Sequence, residues 1–119
     1  MYVDQRKQVP GFCHIPPLTL CNPNYGDSLG RGGFVFNAGK WTEVSQTITL
    51  NTPGVNDGKF LVKADGIEAI KFDQVSWRSA SSVGFGGLDF ETFFGGADSS
   101  WATPIEQFTY FKDFSITIG

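Results

Sequence analysis

Apolar and polar residues alternate with a period of two along much of the chain, which is the pattern of half-buried β-strands. The clearest run spans Glu106 to Ile118, where Lys112 is the only polar residue on the apolar side from position 108 onwards. Alternating runs also predict strands over Leu29–Phe36, Lys40–Leu50 and Leu88–Phe94. No window of about a dozen residues carries the 3.6-residue period of an amphipathic helix. The pattern therefore predicts an all-β protein.

Glycine-containing turns separate the predicted strands. Asn56-Asp57-Gly58 and Asp65-Gly66 have the composition of tight hairpin turns, and the residues between them alternate towards one face. In the preceding strand, Gln46 is the only polar residue on the apolar side. Beyond the second turn, the apolar positions change parity between Phe72 and Val75, which predicts a β-bulge.

The order of these elements indicates the fold class. Strands joined by glycine-rich turns, without intervening helices, are typical of antiparallel sandwiches. Residues 1–28 contain four of the six prolines and are predicted to be largely irregular. A chain of 119 residues suits one hydrophobic core. We therefore predict an all-β, antiparallel two-sheet sandwich of the jelly-roll type, which forms a single domain over residues 1–119.

Charge and hydropathy narrow the range of partners. The net charge is −3 and the pI is about 4.9, so the chain lacks the basic field that attracts nucleic acids and anionic membranes. No apolar run approaches the roughly 20 residues of a membrane-spanning helix. We predict neither nucleic acid nor membrane as a partner.

Whether the two cysteines form a disulfide indicates the cellular compartment of the protein. Cys13 and Cys21 are close enough in sequence to close a small loop, and we predict a disulfide, with two buried thiols as the alternative. A disulfide implies a secreted protein, whereas free thiols imply a cytoplasmic protein without a leader. The amino terminus itself carries no secretion signal. Only His14 could join the cysteines, so no metal site is predicted.

Motifs for familiar catalytic chemistry are missing from the sequence. His14 is the single histidine and lies in a proline-rich segment, and no nucleophile motif surrounds any serine. Gly30-Arg31-Gly32-Gly33 is similar to a phosphate-binding loop, but a predicted strand follows it instead of a helix. Its glycines indicate a bulge or a close approach of the backbone. No cofactor is predicted.

Several ordered motifs carry a resemblance to a known family. They are Gly39-Lys40-Trp41-Thr42, Leu50-Asn51-Thr52-Pro53-Gly54, Asn56-Asp57-Gly58, Thr92–Trp101 and Tyr110–Phe114. Through them the chain resembles, over roughly Tyr2 to Gly119, the carboxy-terminal half of the fungal jelly-roll polysaccharide lyases related to alginate and glucuronan lyases. The resemblance strengthens the prediction of a jelly roll.

The resemblance implies a catalytic reaction, and also that most of the residues for this reaction are missing from the chain. Lyases of this family cleave uronate polymers by β-elimination, with a Lys, a Ser-x-Arg pair and a Tyr-x-Tyr pair on early strands. Only Tyr2 matches this set, as its last tyrosine. Loss of a positioned acid or base costs about 10²–10⁴ in rate. We therefore predict a carbohydrate-binding, lectin-like domain without catalysis; the alternative is a polysaccharide lyase, or a fragment of one, with Tyr2 as a catalytic residue.

A face that binds acidic sugars combines aromatic rings with basic groups. The candidate contacts of this kind are Arg31, Trp101, Tyr110 and Lys112. Tyr110 and Lys112 share a parity in the last predicted strand, which places them on one face. Each candidate also has an ordinary structural explanation, such as a solvated arginine, a tryptophan at the end of the core or a lysine at a sheet edge. The expected partners are an oligo- or polysaccharide and, because a cut jelly roll leaves an open edge, further copies in a homo-oligomer.

Overall fold

The computed structural model describes residues 3–96 and 98–119. Regular structure in these ranges consists of one antiparallel sheet and three short 3₁₀-helices, without an α-helix. The chain divides into two compact units, Met1–Gly86 and Gly87–Gly119, which we term the first and the second unit. The β class is confirmed by the sheet, whereas the second sheet of a sandwich stays a prediction.

The sheet belongs to the first unit and has three strands in sequence order. Strand β1 is Val44–Thr49, β2 is Gly58–Ala64 and β3 is Ile67–Val75, and both neighbouring pairs are antiparallel. Ile48 of β1 lies opposite Phe60 of β2, so the two side chains share one face of the sheet. Strands β1 and β2 confirm two of the alternating runs that the sequence predicts.

The hairpin between β2 and β3 turns at Asp65 and Gly66, as predicted. Their φ angles are 50° and 77°, the left-handed conformation that a type I′ turn requires at both central positions. The Asp65 carboxylate accepts a hydrogen bond from the Glu43 amide at 2.9 Å, and the Asp65 amide donates to the Glu43 carbonyl at 2.8 Å. The turn therefore also holds the backbone that leads into β1.

Strand β3 carries the predicted β-bulge. Gly58 lies opposite Val75 and Phe60 lies opposite Phe72, so β3 has one more residue than β2 over this stretch. The extra residue explains the change of parity between Phe72 and Val75 and confirms the prediction. A second register shift, beside Val62, leaves no signal in the hydrophobic pattern.

Strands β1 and β2 form a hairpin, but the tight turn predicted at Asn56-Asp57-Gly58 is not formed, because the chain turns earlier, between Thr52 and Val55. The Val55 amide donates to the Thr52 carbonyl at 2.9 Å, and Gly54 between them has a φ of 81°. Asp57 supports this turn from outside: its carboxylate accepts from the Thr52 hydroxyl at 2.8 Å and from the Thr52 amide at 2.7 Å. The hydroxyl bond above all, and then the amide bond, lower the pKa of the Asp57 carboxyl.

Gly58 is required for a close approach and not for a turn. It is the first residue of β2, and a Cβ atom on it would lie 2.5 Å from the Val75 carbonyl oxygen and 2.6 Å from Cδ1 of Trp77. Any side chain at this position would collide with the backbone of β3 and with the indole ring. Asp57-Gly58 thus has the composition of a hairpin turn, but its glycine is required by the close contact with Val75 and Trp77.

The core of the first unit lies on one face of the sheet. Residues 3–21 of the irregular N-terminal segment lie over it, and we term them the N-terminal cover. The buried apolar residues of the core come from the sheet and from the cover: Phe12, Ile15, Phe60, Val62 and Val75. Phe12 belongs to the 3₁₀-helix Pro10–His14, and its ring meets the Phe72 ring edge-on, with 5.9 Å between centroids. A second 3₁₀-helix, Gln5–Lys7, precedes it. The residues that close the core therefore come from a segment without any hydrophobic period.

Two links hold this cover in place. Cys13 and Cys21 form a disulfide, with the sulfur atoms 2.01 Å apart. The Gln8 side chain pairs with the backbone of Ser76 as a neighbouring strand would, donating to its carbonyl at 2.9 Å and accepting from its amide at 2.9 Å. The disulfide thus closes a loop within the cover, and the hydrogen bonds of Gln8 attach the cover to the chain just beyond β3.

The strand predicted over Leu29–Phe36 is wrong, although the close approach suggested by its glycines is present. Gly30 has a φ of 58°, and a Cβ atom on it would lie 2.6 Å from Cγ1 of Ile70. The Gly30 amide donates to the Thr19 hydroxyl at 3.0 Å instead of to a strand neighbour. The backbone therefore bends here, because only glycine fits both the space and the left-handed conformation.

The described residues of the second unit, 87–96 and 98–119, form no β-strand. The strands predicted over Leu88–Phe94 and Glu106–Ile118 are therefore wrong. A strand needs a neighbouring backbone to complete its hydrogen bonds, and side-chain alternation does not provide that neighbour. Among the described residues of this unit, the regular structure is the 3₁₀-helix Ser99–Trp101.

A local aromatic cluster replaces the predicted strand face in the second unit. The Phe90 ring meets the rings of Phe111 and Phe114 edge-on at 4.9 and 5.0 Å, although these two residues have opposite parity. Asp113 between them has a φ of 58°, so the alternation of an extended chain is interrupted there. Other large apolar side chains of the unit remain exposed, namely Phe93, Phe94, Phe108, Tyr110, Ile116 and Ile118.

Candidate functional site

The sequence-predicted contact residues are distributed over both units and the undescribed N-terminus. Tyr2 lies outside the described residues. Arg31 is an exposed residue of the first unit, and its backbone amide donates to the Leu18 carbonyl at 2.6 Å. Trp101, Tyr110 and Lys112 belong to the second unit.

Trp101 is held by a short capped helix. The Asp98 carboxylate accepts from the Ser100 hydroxyl at 2.6 Å and from the Ser100 amide at 2.9 Å, and these bonds, the hydroxyl first, lower the pKa of Asp98. A Cβ atom on Gly96 would lie 2.0 Å from Cγ of Trp101, so the indole lies directly on the Gly96 backbone. The other surface of the ring remains accessible, since the residue is 61% exposed. Trp101 thus has the geometry of an exposed aromatic platform.

Tyr110 and Lys112 do not share a strand face, because the strand that would align them is not formed. Tyr110 is 72% exposed. The Lys112 ammonium lies 3.3 Å from the Asp113 carboxylate in an exposed ion pair. Aromatic and basic groups are thus available on this segment, without the common face that the alternation predicts.

A cavity on the core face of the first unit brings together polar and apolar groups that no sequence motif combines. Its volume is about 320 Å³, and its walls are formed by Asp27, Leu29, Gln46, Ile48, Phe60 and Trp77. Ile48 and Phe60 are opposite residues of β1 and β2, so the sheet forms one wall. The segment that follows the N-terminal cover forms another, through Asp27 and Leu29. We term this space the sheet cavity.

Asp27 is a buried acid in the wall of the sheet cavity, with 4% of its surface exposed. Its Oδ1 atom accepts from the Gln5 side-chain amide at 2.5 Å and from the Asn22 backbone amide at 3.1 Å. An antiparallel bridge between Leu20 and Ser28 fixes the backbone next to it. Buried carboxylates are retained where hydrogen bonds offset the loss of water, and these contacts provide that support.

Trp77 is positioned by Asn51, which is fully buried. The Asn51 Oδ1 atom accepts from the backbone amides of Trp77 and Arg78, both at 2.8 Å. Its Nδ2 group donates to the carbonyls of Thr52, Val55 and Arg78 at 2.9 to 3.1 Å. Every hydrogen-bonding group of the amide is therefore used to join the 52–55 turn to the segment after β3. Asn51 acts as a positioning residue for the indole.

Gln46 supplies the amide of the sheet cavity. It lies on β1 opposite Val62, on the same side of the strand as Ile48. Its break in the apolar side of the strand was the one sequence signal for this site. Asp27 and Trp77 carry no such signal, because they reach the cavity through loops whose course depends on tertiary packing.

The walls of the sheet cavity are mostly apolar, with a few polar groups. Small-molecule sites are mostly apolar with a few converging polar groups, and occupy about 300–1,000 Å³. The described residues contain no cluster of three His, Cys, Asp or Glu that could hold a metal ion. None of the described helices is long and apolar enough to cross a membrane.

The described fold is that of an antiparallel β protein with a cavity of mixed apolar and polar walls. Comparison with family models gives the specific family: the chain belongs to polysaccharide lyase 14, whose model matches residues 1–114. No curated protein and no solved structure matches the chain significantly. The predicted relationship to polysaccharide lyases is therefore confirmed at the level of the family, and the polymer and the source organism remain predictions.

Proposed function

We propose that the protein is a carbohydrate-binding, lectin-like domain of jelly-roll type, derived from polysaccharide lyases and without catalytic activity. Membership of the polysaccharide lyase 14 family carries the proposal, because it ties the fold to polysaccharides. The exposed indole of Trp101 and the apolar and polar walls of the sheet cavity add support, since both suit sugar rings.

Glycan binding by the full chain tests this proposal. Titration with oligosaccharides from alginate and glucuronan and with neutral glucans and mannans should give saturable binding to at least one class. Trp101→Ala removes an exposed ring, and Tyr25→Ala, which removes another exposed ring of the first unit, is the matched control. If no member of the panel binds, the proposed function is overturned.

The second candidate is a polysaccharide lyase that cleaves uronate polymers by β-elimination, and family membership supports it directly. Each elimination leaves an unsaturated sugar end, so ultraviolet absorbance should grow with time on a uronate polymer. Tyr2→Phe, which removes only the phenolic oxygen, should then stop the increase. A flat absorbance trace with every uronate polymer would leave the binding function.

We further propose that residues 1–119 form one two-sheet domain that associates as a homo-oligomer in an oxidising, secreted setting. The exposed apolar side chains of the second unit support association, and the Cys13–Cys21 disulfide supports the compartment. Light scattering at micromolar concentration tests the association, and a monomeric mass would contradict it. Amides outside β1, β2 and β3 that are protected from hydrogen exchange would support a second sheet.

A further inference from the structure

We propose that the outer face of the sheet, on the side away from the core, binds a carboxylated polysaccharide chain along β1 and β2. The inference deepens the proposed carbohydrate-binding function and rests on it. Its basis is a repeated pairing of lysines with hydroxyl groups across these two strands. We term six positions of this face the outer strip: Ser45, Thr47, Thr49, Lys59, Leu61 and Lys63.

The outer strip faces away from the core because successive side chains of a strand point to opposite faces of the sheet. Phe60 is buried in the core, so its neighbour Lys59 points to the opposite face, and Lys63 further along β2 does the same. Ile48 of β1 packs against the core, which places Thr49 on the outer face. Thr49 and Lys59 are exposed and Lys63 is half-buried, so all three are accessible to a ligand.

The outer strip repeats one arrangement twice. Lys63 of β2 lies directly opposite Ser45 of β1. Lys59 lies opposite Thr49 in the same way, so each ammonium group shares the face with one hydroxyl group. The two pairs are separated by about 13 Å along the strands, from the rise of about 3.3 Å per residue. A chain that carries anionic groups at intervals can therefore occupy both pairs at once.

The positive charge of the outer strip lies on the side that faces β1. Lys71 of β3 lies 3.7 Å from the Asp73 carboxylate in an exposed ion pair. Lys59 and Lys63 form no ion pair with any described residue, although Glu68 of β3 is the register partner of Lys63. Strand β1 contains no acidic residue. An anionic chain that lies over β1 and β2 would thus meet two ammonium groups and a row of hydroxyl groups, with the acidic side chains of the sheet on the other side of β2.

The donors of each pair match a carboxylate. An ammonium group and a hydroxyl group can each donate to one of its two oxygen atoms. Between the pairs, Leu61 lies opposite Thr47 and offers apolar surface to the carbon atoms of a sugar ring. The outer strip contains no aromatic ring on which nucleic-acid bases could stack, which favours a polysaccharide over a single-stranded nucleic acid. Because an open sheet face does not enclose a single sugar, the affinity has to come from several contacts along a chain.

Titration of the full chain with matched polymers tests the class of ligand. The probes are alginate and glucuronan oligosaccharides, the same oligosaccharides after reduction of their carboxyl groups to alcohols, and single-stranded DNA. We expect a carboxylated form to bind, and its reduced form and the DNA to bind more weakly by roughly tenfold or more. Reduced oligosaccharides or DNA that bind as tightly as the carboxylated chain would overturn the inference.

Variants that remove the same charge from two places test the location. Lys59→Gln combined with Lys63→Gln should weaken binding of the carboxylated chain roughly tenfold, because two exposed ion pairs with the ligand are lost. Lys7→Gln combined with Lys40→Gln is the matched control, since both lysines are exposed residues of the first unit outside the outer strip. It should leave the affinity within about twofold of the parent. Lys59→Arg combined with Lys63→Arg retains the charges and should retain the binding.

Urea unfolding shows whether the variants keep the parent fold. Should Lys59→Gln combined with Lys63→Gln fail to fold, Lys59→Gln alone decides the question, because Lys59 is exposed. This single variant should weaken binding roughly threefold.

The outcomes separate the inference from the proposed function. Carboxylated chains that bind the parent and the folded glutamine variant equally well would overturn the outer strip and leave a carbohydrate-binding protein. Binding of neutral chains alone would have the same meaning. If neither carboxylated nor neutral chains bind, the proposed function itself is overturned.

Discussion

The two units have similar hydrophobic patterns, but their apolar side chains are buried in the first unit and exposed in the second. In the first unit, alternation in β2 places Phe60 and Val62 on a buried face, 7% and 6% exposed. In the second unit, an equally regular alternation leaves Phe108 and Ile116 at 72% and 67% exposure. The difference lies in what surrounds each run: β2 has a strand on both sides and a cover above it. Alternation specifies a face, and burial depends on the neighbours that this face meets.

The cover of the first unit shows how much depends on residues outside any periodic pattern. Phe12 is fully buried and Ile15 is 3% exposed, yet both lie in an irregular, proline-containing segment. The second unit has no such cover within its own described residues. The comparison leads to four predictions, given in order of decreasing effect.

The largest effect should follow from removing the same side chain in each unit. Phe12→Ala should lower the free energy of unfolding by about 3–5 kcal/mol, because it leaves a cavity in the core. Phe114→Ala, at a position that is 63% exposed, should cost less than about 1 kcal/mol. Urea unfolding measured by tryptophan fluorescence compares them. Equal costs would show that the second unit is packed as tightly as the first.

A comparable loss of stability is expected when the buried side-chain amide of Asn51 is removed. Asn51→Leu should destabilise the protein by about 3 kcal/mol, because several backbone groups would lose their buried partners. Asn56→Ala is the control, since that side chain makes one exposed hydrogen bond, to the Lys7 carbonyl at 2.7 Å. The same urea titration measures both variants. A control as costly as Asn51→Leu would disprove the special role of Asn51.

The disulfide should have an intermediate effect. Cys13 and Cys21 are 8 positions apart in sequence, and closure of so short a loop is worth about 2–3 kcal/mol through the entropy of the unfolded chain. The double variant Cys13→Ser, Cys21→Ser should lose this amount under oxidising conditions. Under reducing conditions it should match the parent protein. An unchanged unfolding midpoint under both conditions would show that the other contacts hold the cover without the disulfide.

The smallest effect on stability should come from protonation of Asp57 at low pH. The pKa of Asp57 in the folded protein lies below its ordinary value of 3.8, mainly through the Thr52 hydroxyl. Its contribution is therefore complete above that ordinary value and is lost as the pH falls through the lowered folded pKa. Asp57→Asn should cost stability at about pH 6 and very little at about pH 2.5, measured by urea unfolding. Because Asp57 is exposed, an equally large cost at both pH values would point to lost packing instead of charge.

Local chemistry made part of the fold predictable. The Asp65-Gly66 turn and the bulge between Phe72 and Val75 could be predicted because each depends on residues adjacent in sequence. Gly58 was misjudged as a turn residue, since it is a glycine on account of a distant side chain, Trp77; at Gly30 the close approach was predicted, but its partner, Ile70, was not. Composition alone cannot distinguish a glycine that turns the chain from one that makes room for another segment.

The candidate site was less predictable than the fold, for a related reason. Gln46 could be noticed because it interrupts an apolar side, which is a local property. Asp27 and Trp77 come to the cavity from loops, and their position depends on the bonds of Asn22 and Asn51. Tyr110 and Lys112 were paired on the assumption of a strand, and this assumption fails at their position.

Gly58 makes the shape of the sheet cavity sensitive to a residue that takes no part in its walls. The Trp77 indole rests against the bare backbone of β2 at this point, so the width of the cavity depends on the absence of one methyl group. Exchange of Gly58 for alanine would displace the indole and the Val75 carbonyl while every wall residue kept its identity. One methyl group outside the walls would thus change the space between them.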